Sequence, residues 1–343
     1  MSKKTIAISS ACDIPQNEDH FHRHLLGGWR IKALIATILL SILGYFLFTL
    51  WAGWQNVIGA ISHVGLLGIL LAMSLSLINY SLRFLRWQLF LNALGHNIPW
   101  LPSLRIFLSG FALTTTPGKT GEALRGVFLK DYGVPFRKSF GAFLSERFSD
   151  LLAVSILASG GLWIHPEARP ILLIVGFVLA FALFAVQKDS WLHFIEKLAK
   201  KILPDRFSHA VEFFLEMVIA FRSCFTKKVL LGGIALGVAA WTAEAVALYT
   251  ILHFLGYEIN LMTAIFIYGF SLVIGGITLL PGGLGGAEVT MLQLLIINDV
   301  ASSVAVAVTL VIRLTTLWFS VFLGFIALPK KQILWSKSSL KSV

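Results

Sequence analysis

Six long apolar stretches run through the chain, at Ala33–Trp51, Val64–Leu82, Phe140–Ile164, Ile171–Val186, Val229–Phe254 and Ala301–Leu328. A hydrocarbon core about 30 Å thick is crossed by about 20 helical residues. Within lipid, only helices and closed barrels satisfy every backbone N–H and C=O. Stretches of this length predict an all-α fold: a polytopic integral membrane bundle with six full spans. Charge points the same way. Of 343 residues, 28 are Lys or Arg and 17 are Asp or Glu, a charged fraction of 13%. Soluble domains carry about 25%, so too few charges remain to cover a soluble surface. An ordinary soluble enzyme, a disordered chain and a disulfide scaffold are all excluded.

Two further apolar segments are interrupted. Leu104–Leu129 is broken at Thr114-Thr115-Thr116-Pro117-Gly118, and Leu261–Ile297 at Pro281-Gly282-Gly283-Leu284-Gly285-Gly286. Proline lacks an N–H and glycine permits sharp turns, so each break separates two shorter helices. Both segments are expected to be re-entrant hairpins, with full spans as the alternative.

The distribution of basic residues orients the bundle, because cytoplasmic loops carry an excess of Lys and Arg. The net charge of +11 is spread between apolar runs and not gathered in one stripe, which fits topology and not a nucleic-acid partner. The N-terminal tail is basic, the 52–63 loop has neither Lys nor Arg, and the next span returns to Arg83, Arg86 and Arg105, read here as cytoplasmic. Arg125, Lys130, Arg137 and Lys138 follow the first break; the loop 187–228 and the tail bearing Lys330, Lys331, Lys337 and Lys341 are also basic. Both termini are therefore expected in the cytoplasm, with the chain in the cell inner membrane. Residues 1–30 read as a disordered tail ahead of a retained signal anchor, 31–329 as the transmembrane domain, and 330–343 as a basic tail. Trp51, Trp54, Trp100, Trp163 and Trp191 fall near span ends, where interfacial aromatics belong.

Within the cytoplasmic loop, Trp191, Phe194, Ile195, Leu198 and Ile202 share a helical face opposite Lys197, Lys200 and Lys201, and a second amphipathic stretch runs from Pro204 to Phe225. Such helices lie on an anionic leaflet; a docking surface for a partner protein is the less favoured reading. Cys12 and Cys224 show no ligand spacing and read as free thiols.

The two breaks are related. Pro117-Gly118-Lys119-Thr120-Gly121 and Pro281-Gly282-Gly283-Leu284-Gly285 share the pattern P-G-x-x-G. Each is preceded by a Gly-Phe pair, Gly110-Phe111 or Gly269-Phe270, and followed by a glutamate, Glu122 or Glu288. An arginine then lies in the next span, Arg147 or Arg313, twenty-five residues after its glutamate in both cases. Four features in the same order indicate duplicated halves, and the topology inverts one against the other. Broken helices at matching positions of inverted repeats mark the midplane site of a transporter.

Charged residues inside the membrane cost about 2.5 to 3.5 kcal/mol each on insertion scales and need a partner or a task. The candidates are Lys119, Glu122, Arg125, Glu146, Arg147, Asp150, Glu244, Glu288 and Arg313. Arginine presents a fork of donors suited to phosphate, and helix N-termini after the breaks add oriented N–H groups. An anionic lipid head group would then meet Lys119, Glu122, Arg125, Arg147, Asp150, Glu288 and Arg313, with the three arginines on phosphate and Glu122 and Glu288 balancing charge or carrying protons. The alternative is structural: the glutamates complement helix dipoles and the arginines pair with nearby carboxylates. Gly118-Lys119-Thr120 resembles the end of a Walker A loop, but Leu113 stands where its first glycine is required. No metal-ligand set, cofactor motif or nucleophile elbow is present in the sequence, so no cofactor, metal or catalytic residue is assigned.

Together, Arg86-Trp87, Pro117 to Glu122 with Arg125, Glu146-Arg147 with Asp150, and Pro281 to Gly285 with Glu288 resemble the membrane region of lysylphosphatidylglycerol synthases, the flippase-like domain family. The resemblance covers about Ile31 to Pro329. It implies an all-helical bundle with re-entrant elements that moves or exposes modified lipids across the bilayer. Full-length synthases add a soluble domain that transfers lysine from its tRNA to phosphatidylglycerol; the chain is expected to lack it, so that activity is not carried over. Stand-alone members of the family accompany glycolipid or hopanoid pathways. The leading expectation is therefore a protein that binds and flips an anionic or modified lipid, such as a phospholipid, glycolipid or hopanoid. A membrane enzyme or subunit of aminoacyl or glycosyl transfer to lipid, and a scaffold for a cytoplasmic lipid-modifying enzyme or glycosyltransferase, stay open.

Overall fold

The computed structural model describes residues 53–115, 122–123, 125–188, 208–278, 280, 283 and 285–328, with Leu43, Phe46, Leu47 and Leu50 of the first apolar stretch. Expectations for the N-terminal tail, most of the Ala33–Trp51 span, Trp51, Lys119, the Trp191–Ile202 face and the C-terminal tail lie outside the described residues. Among those described the fold is all-helical, with no strand. The helices are α1 (Trp54–Ala93), α2 (Trp100–Phe111), α3 (Arg125–Leu129), α4 (Phe136–Ser159), α5 (Arg169–Gln187), α6 (Ser208–Ser223), α7 (Lys227–Phe254), α8 (Leu261–Ile277), α9 (Gly286–Ile297), α10 (Ser302–Arg313) and α11 (Phe319–Ala327). Among the described residues, four units are long and apolar enough to cross a membrane: α1, the Pro166–Gln187 unit containing α5, α7, and the Ser302–Ala327 unit that joins α10 to α11.

Local chemistry sets the helix ends. Pro102 stands in the first turn of α2, where its missing N–H is harmless. The Asn260 side chain caps α8 by accepting from the Met262 N–H at 2.9 Å. α1 bends at Gly65, whose φ of 63° is left-handed and open to glycine without penalty. Leu314–Trp318, between α10 and α11, is one turn of π-helix, a geometry concentrated at functional sites. Tyr80 of α1 donates its hydroxyl to the Thr316 carbonyl within that turn.

Both interrupted segments fold back on themselves. At 1.5 Å per residue, α8 is about 25 Å long and α9 about 18 Å, each short of the hydrocarbon thickness. They pack against each other so closely that a Cβ on Gly275 would lie 2.8 Å from Ala287 Cβ. In the first hairpin, Gly110 of α2 faces α3, and a Cβ there would lie 2.6 Å from Arg125 Cδ.

α7 packs along α1, and α8 crosses α4 where Gly269 lets the backbones meet: a Cβ on it would sit 3.0 Å from the Val154 carbonyl oxygen. α11 lies against α2, with Gly324 at the turn that ends α2. Trp54, Trp100 and Trp163 are exposed, as interfacial residues should be. Large side chains of α5, among them Leu173, Phe177 and Phe181, also face outward, as expected of a lipid-facing helix. The second amphipathic stretch forms α6, which packs on α4 through Gly141 and Ala220 and pairs Glu216 with Arg137 at 2.8 Å. Cys224, just beyond it, is a free thiol as expected; burial pushes it up to about 12, so it is no nucleophile at neutral pH.

Candidate functional site

The sequence places charges along helices that bury them against one another. On α4, Glu146 and Asp150 lie one turn apart and are buried, and Arg147 beside Glu146 is partly buried. Asp150 is the hub of the first half. One oxygen accepts from Arg86 and from the Trp241 indole N–H at 3.0 Å; the other is 3.0 Å from Arg147 and 3.8 Å from Arg83.

Arg83 and Arg86 correct the topological reading. They are not cytoplasmic loop charges: α1 runs straight through them to Ala93, and they are 6% and 0% exposed. The signal available in the sequence is a pair of arginines three positions apart on one side of a helix that continues past Leu82. Gly237 of α7 makes the space, since a Cβ there would lie 2.8 Å from the Arg86 guanidinium. The Arg83 guanidinium lies 5.3 Å from the Phe111 ring and 5.2 Å from Trp241, a stacking that suits arginine.

Glu122 accepts from the Thr114 hydroxyl at 2.6 Å and lies 3.4 Å from both Arg125 and Arg147. Arg125 also pairs with Glu146 and lies 4.6 Å from the Trp87 ring and 5.4 Å from Phe107. Glu122, Arg125 and Glu146 are each no more than 2% exposed. This knot ties the short helix α3 to α4 and fills the space that Gly110 leaves open.

The second half repeats the pair in simpler form. Glu288, in the first turn of α9, accepts from the Gly285 N–H at 2.7 Å and lies 2.8 Å from Arg313 Nε. An acid there complements the helix N-terminus and satisfies an orphan donor of the turn. Nearby, the Tyr268 hydroxyl of α8 donates to the buried Glu244 carboxylate of α7.

Arg147 and Arg313 come to one cavity of about 430 Å³ between α4, α8 and α9. Asp150 and Trp241 line it with them, and Gly275, Gly276 and Gly283 let the wall come close. The rest of the wall is mainly aliphatic and aromatic. Arg125 and Glu122 are not among the lining residues; they stand behind Arg147. Glu288 likewise stands behind Arg313. Arginines that project into an apolar chamber, each anchored from behind by a carboxylate, can take the fork of a phosphate or carboxylate in a low-dielectric setting. Among the described residues there is no cluster of three or more metal-ligating side chains.

A family profile described as the lysylphosphatidylglycerol synthase TM region matches residues 34–324. A UPF0104 membrane protein of Pyrococcus horikoshii is 26% identical over 88% of this chain and 99% of its own length. A UPF0104 membrane protein of Methanothermobacter thermautotrophicus is 26% identical over 76% of this chain and 84% of its own. Another, from Methanocaldococcus jannaschii, is 24% identical over 87% and 96%.

Proposed function

Because the chain belongs to the lysylphosphatidylglycerol synthase transmembrane-region family and is a multi-pass helical membrane protein, we propose that it binds a lipid by an anionic or modified head group and flips it across the cytoplasmic membrane. The observation that carries this reading is the convergence of Arg147 and Arg313, one from each repeated half, on a single cavity with apolar walls. A lipid needs that combination: a small charged recognition element surrounded by surface that tolerates hydrocarbon. In this reading Arg147 and Arg313 hold the head group, Glu122, Asp150 and Glu288 keep them in place, and Arg125 locks α3 to α4. Lys119, which lies outside the described residues, is the remaining candidate ligand.

Purified protein in liposomes should accelerate transbilayer movement of labelled phospholipid or polyprenyl-phosphate lipid, and Arg147→Ala or Arg313→Ala should abolish the acceleration. Failure to move any of a panel of such lipids overturns the proposal. The enzyme reading, with Glu288 as acid or base, gains nothing from the geometry: the Glu288 carboxylate is committed to the Gly285 N–H and Arg313. Covalent change of a lipid by the purified protein alone, lost in Glu288→Gln, would restore it.

A further inference from the structure

We propose that Arg83 is a positioning residue for Arg147: when a lipid phosphate draws Arg147 away from Asp150, Arg83 closes onto the carboxylate oxygen that Arg147 leaves. The proposal rests on the translocation reading above and adds a step to it.

Three observations carry it. The first is that Arg83 is buried without a hydrogen bond. It is 6% exposed, its Nε is sealed from solvent, and its guanidinium donates to no acceptor among the described residues. Its ion pair with Asp150 Oδ2 stands at 3.8 Å, beyond hydrogen-bond reach. The Phe111 and Trp241 rings, 5.3 and 5.2 Å away, hold the guanidinium in place. Rings do not replace an acceptor, and a buried donor that lacks one calls for an explanation.

The second is the way Asp150 is held. Its Oδ1 accepts from Arg86 and from the Trp241 indole N–H at 3.0 Å, which fixes the carboxylate from one side. Its Oδ2 is shared, 3.0 Å from Arg147 and 3.8 Å from Arg83. Departure of Arg147 therefore leaves the carboxylate where it is, with Oδ2 still in ion-pair range of Arg83.

The third is that Arg147 is held by charge and not by aligned bonds. Its Nη2 is 3.0 Å from Asp150 and 3.4 Å from Glu122, yet neither Nη2 nor Nε has a hydrogen-bond partner. Its side chain is 18% exposed, against 7% for Arg83 and 0% for Arg86, and it lines the cavity with Arg313. Turning Arg147 toward a phosphate thus breaks no well-formed hydrogen bond; what it removes is the charge beside Oδ2. Inside a low-dielectric bundle that loss is disfavoured, and a shift of about 1 Å brings Arg83 to the roughly 2.7–2.9 Å of a charge-assisted hydrogen bond. Without Arg83, Asp150 keeps its hold on Arg147 and the phosphate competes less well for it. Arg83 accordingly sets the affinity for the head group and not the maximum rate.

The test uses the full chain in phosphatidylcholine vesicles that carry labelled phosphatidylglycerol or a labelled polyprenyl monophosphate at graded mole fractions, so that a half-saturating fraction and a maximum rate are read for each. Arg83→Met, which keeps bulk between the two rings and removes the charge, should raise the half-saturating fraction about ten-fold, the loss of one charged hydrogen bond. Its maximum rate should stay within about two-fold of the wild type. Arg83→Lys returns a cation beside Asp150 and should reverse most of the rise. A lower maximum rate at an unchanged half-saturating fraction marks a merely structural residue and overturns the proposal, as does no change in either quantity or a rise that lysine does not reverse. Movement of neither lipid by the wild type overturns translocation itself. A density map of the wild type with phosphatidylglycerol in the cavity needs no variant and separates the exchange of partners from a long-range effect of charge. It should show Arg83 within about 3 Å of Asp150 Oδ2 and Arg147 turned away; Arg147 still on Asp150, with Arg83 at its ligand-free distance, overturns the proposal.

Discussion

Glu288 and Arg313, twenty-five residues apart in sequence, meet at 2.8 Å inside the bundle, and the same carboxylate holds the Gly285 N–H at 2.7 Å. One side chain thus fixes the turn of the second hairpin and the direction of an arginine in the following span. Glu122 and Arg147 repeat the relationship at 3.4 Å in the first half.

Removing one partner of a buried ion pair leaves an uncompensated charge and costs about 3 to 5 kcal/mol. Glu288→Ala should therefore lower the thermal midpoint strongly, measured by intrinsic fluorescence in detergent. Glu288→Gln keeps an acceptor for the Gly285 N–H and should fall between the wild type and the alanine variant. A midpoint for Glu288→Ala equal to that of the wild type would show that the pair contributes no stability.

Two glycines make opposite predictions. Gly110→Ala places a Cβ 2.6 Å from Arg125 Cδ, and overpacking of this kind costs about 1 to 3 kcal/mol. The displaced Arg125 would also loosen its pairing with Glu146, so lipid movement should drop together with stability. Gly59→Ala, in α1, meets nothing within 4 Å and should be neutral or stabilising by up to about 1 kcal/mol through the unfolded chain. Equal melting of the two variants would contradict the packing described for α2 and α3.

Tyr268→Phe removes the hydroxyl that donates to the buried Glu244 carboxylate. Hydrogen bonds to charged groups are worth about 1.5 to 3 kcal/mol, and a loss of that order is expected in unfolding experiments. Glu244→Gln should moderate the effect in the double variant, because losing this donor costs a neutral acceptor less than a charged one. Additive losses would place the two residues in separate interactions.

His96 lies in the connection between α1 and α2, where burial first and the Lys138 charge second hold its imidazole below the ordinary 6.5. The unfolded chain then binds the proton more readily than the folded one, so stability is full above about pH 6.5 and declines as pH falls through that value. His96→Gln should flatten this part of the stability profile between pH 7 and pH 5. A slope that survives the substitution would assign the acid sensitivity to other groups.

The sequence by itself determined the membrane class, the extents of the Ile171–Val186, Val229–Phe254 and Ala301–Leu328 spans, the places where the two other apolar segments break, and the equal spacing of Glu122 to Arg147 and of Glu288 to Arg313. These are local or periodic quantities. The length of an apolar run is set by bilayer thickness, a Pro-Gly break by backbone sterics, and a repeat by spacing alone. Tertiary structure decided which charges share a space. It carried Arg83 and Arg86 inside onto Asp150, enclosed Arg125 between Trp87 and Phe107, and brought Arg147 and Arg313 to one cavity. No spacing rule could supply this, because the cavity exists only where α8 crosses α4, and that crossing depends on backbones meeting at Gly269. The cost of burying charge explains why these few residues stand out in the sequence; only packing determined which of them would face the cavity.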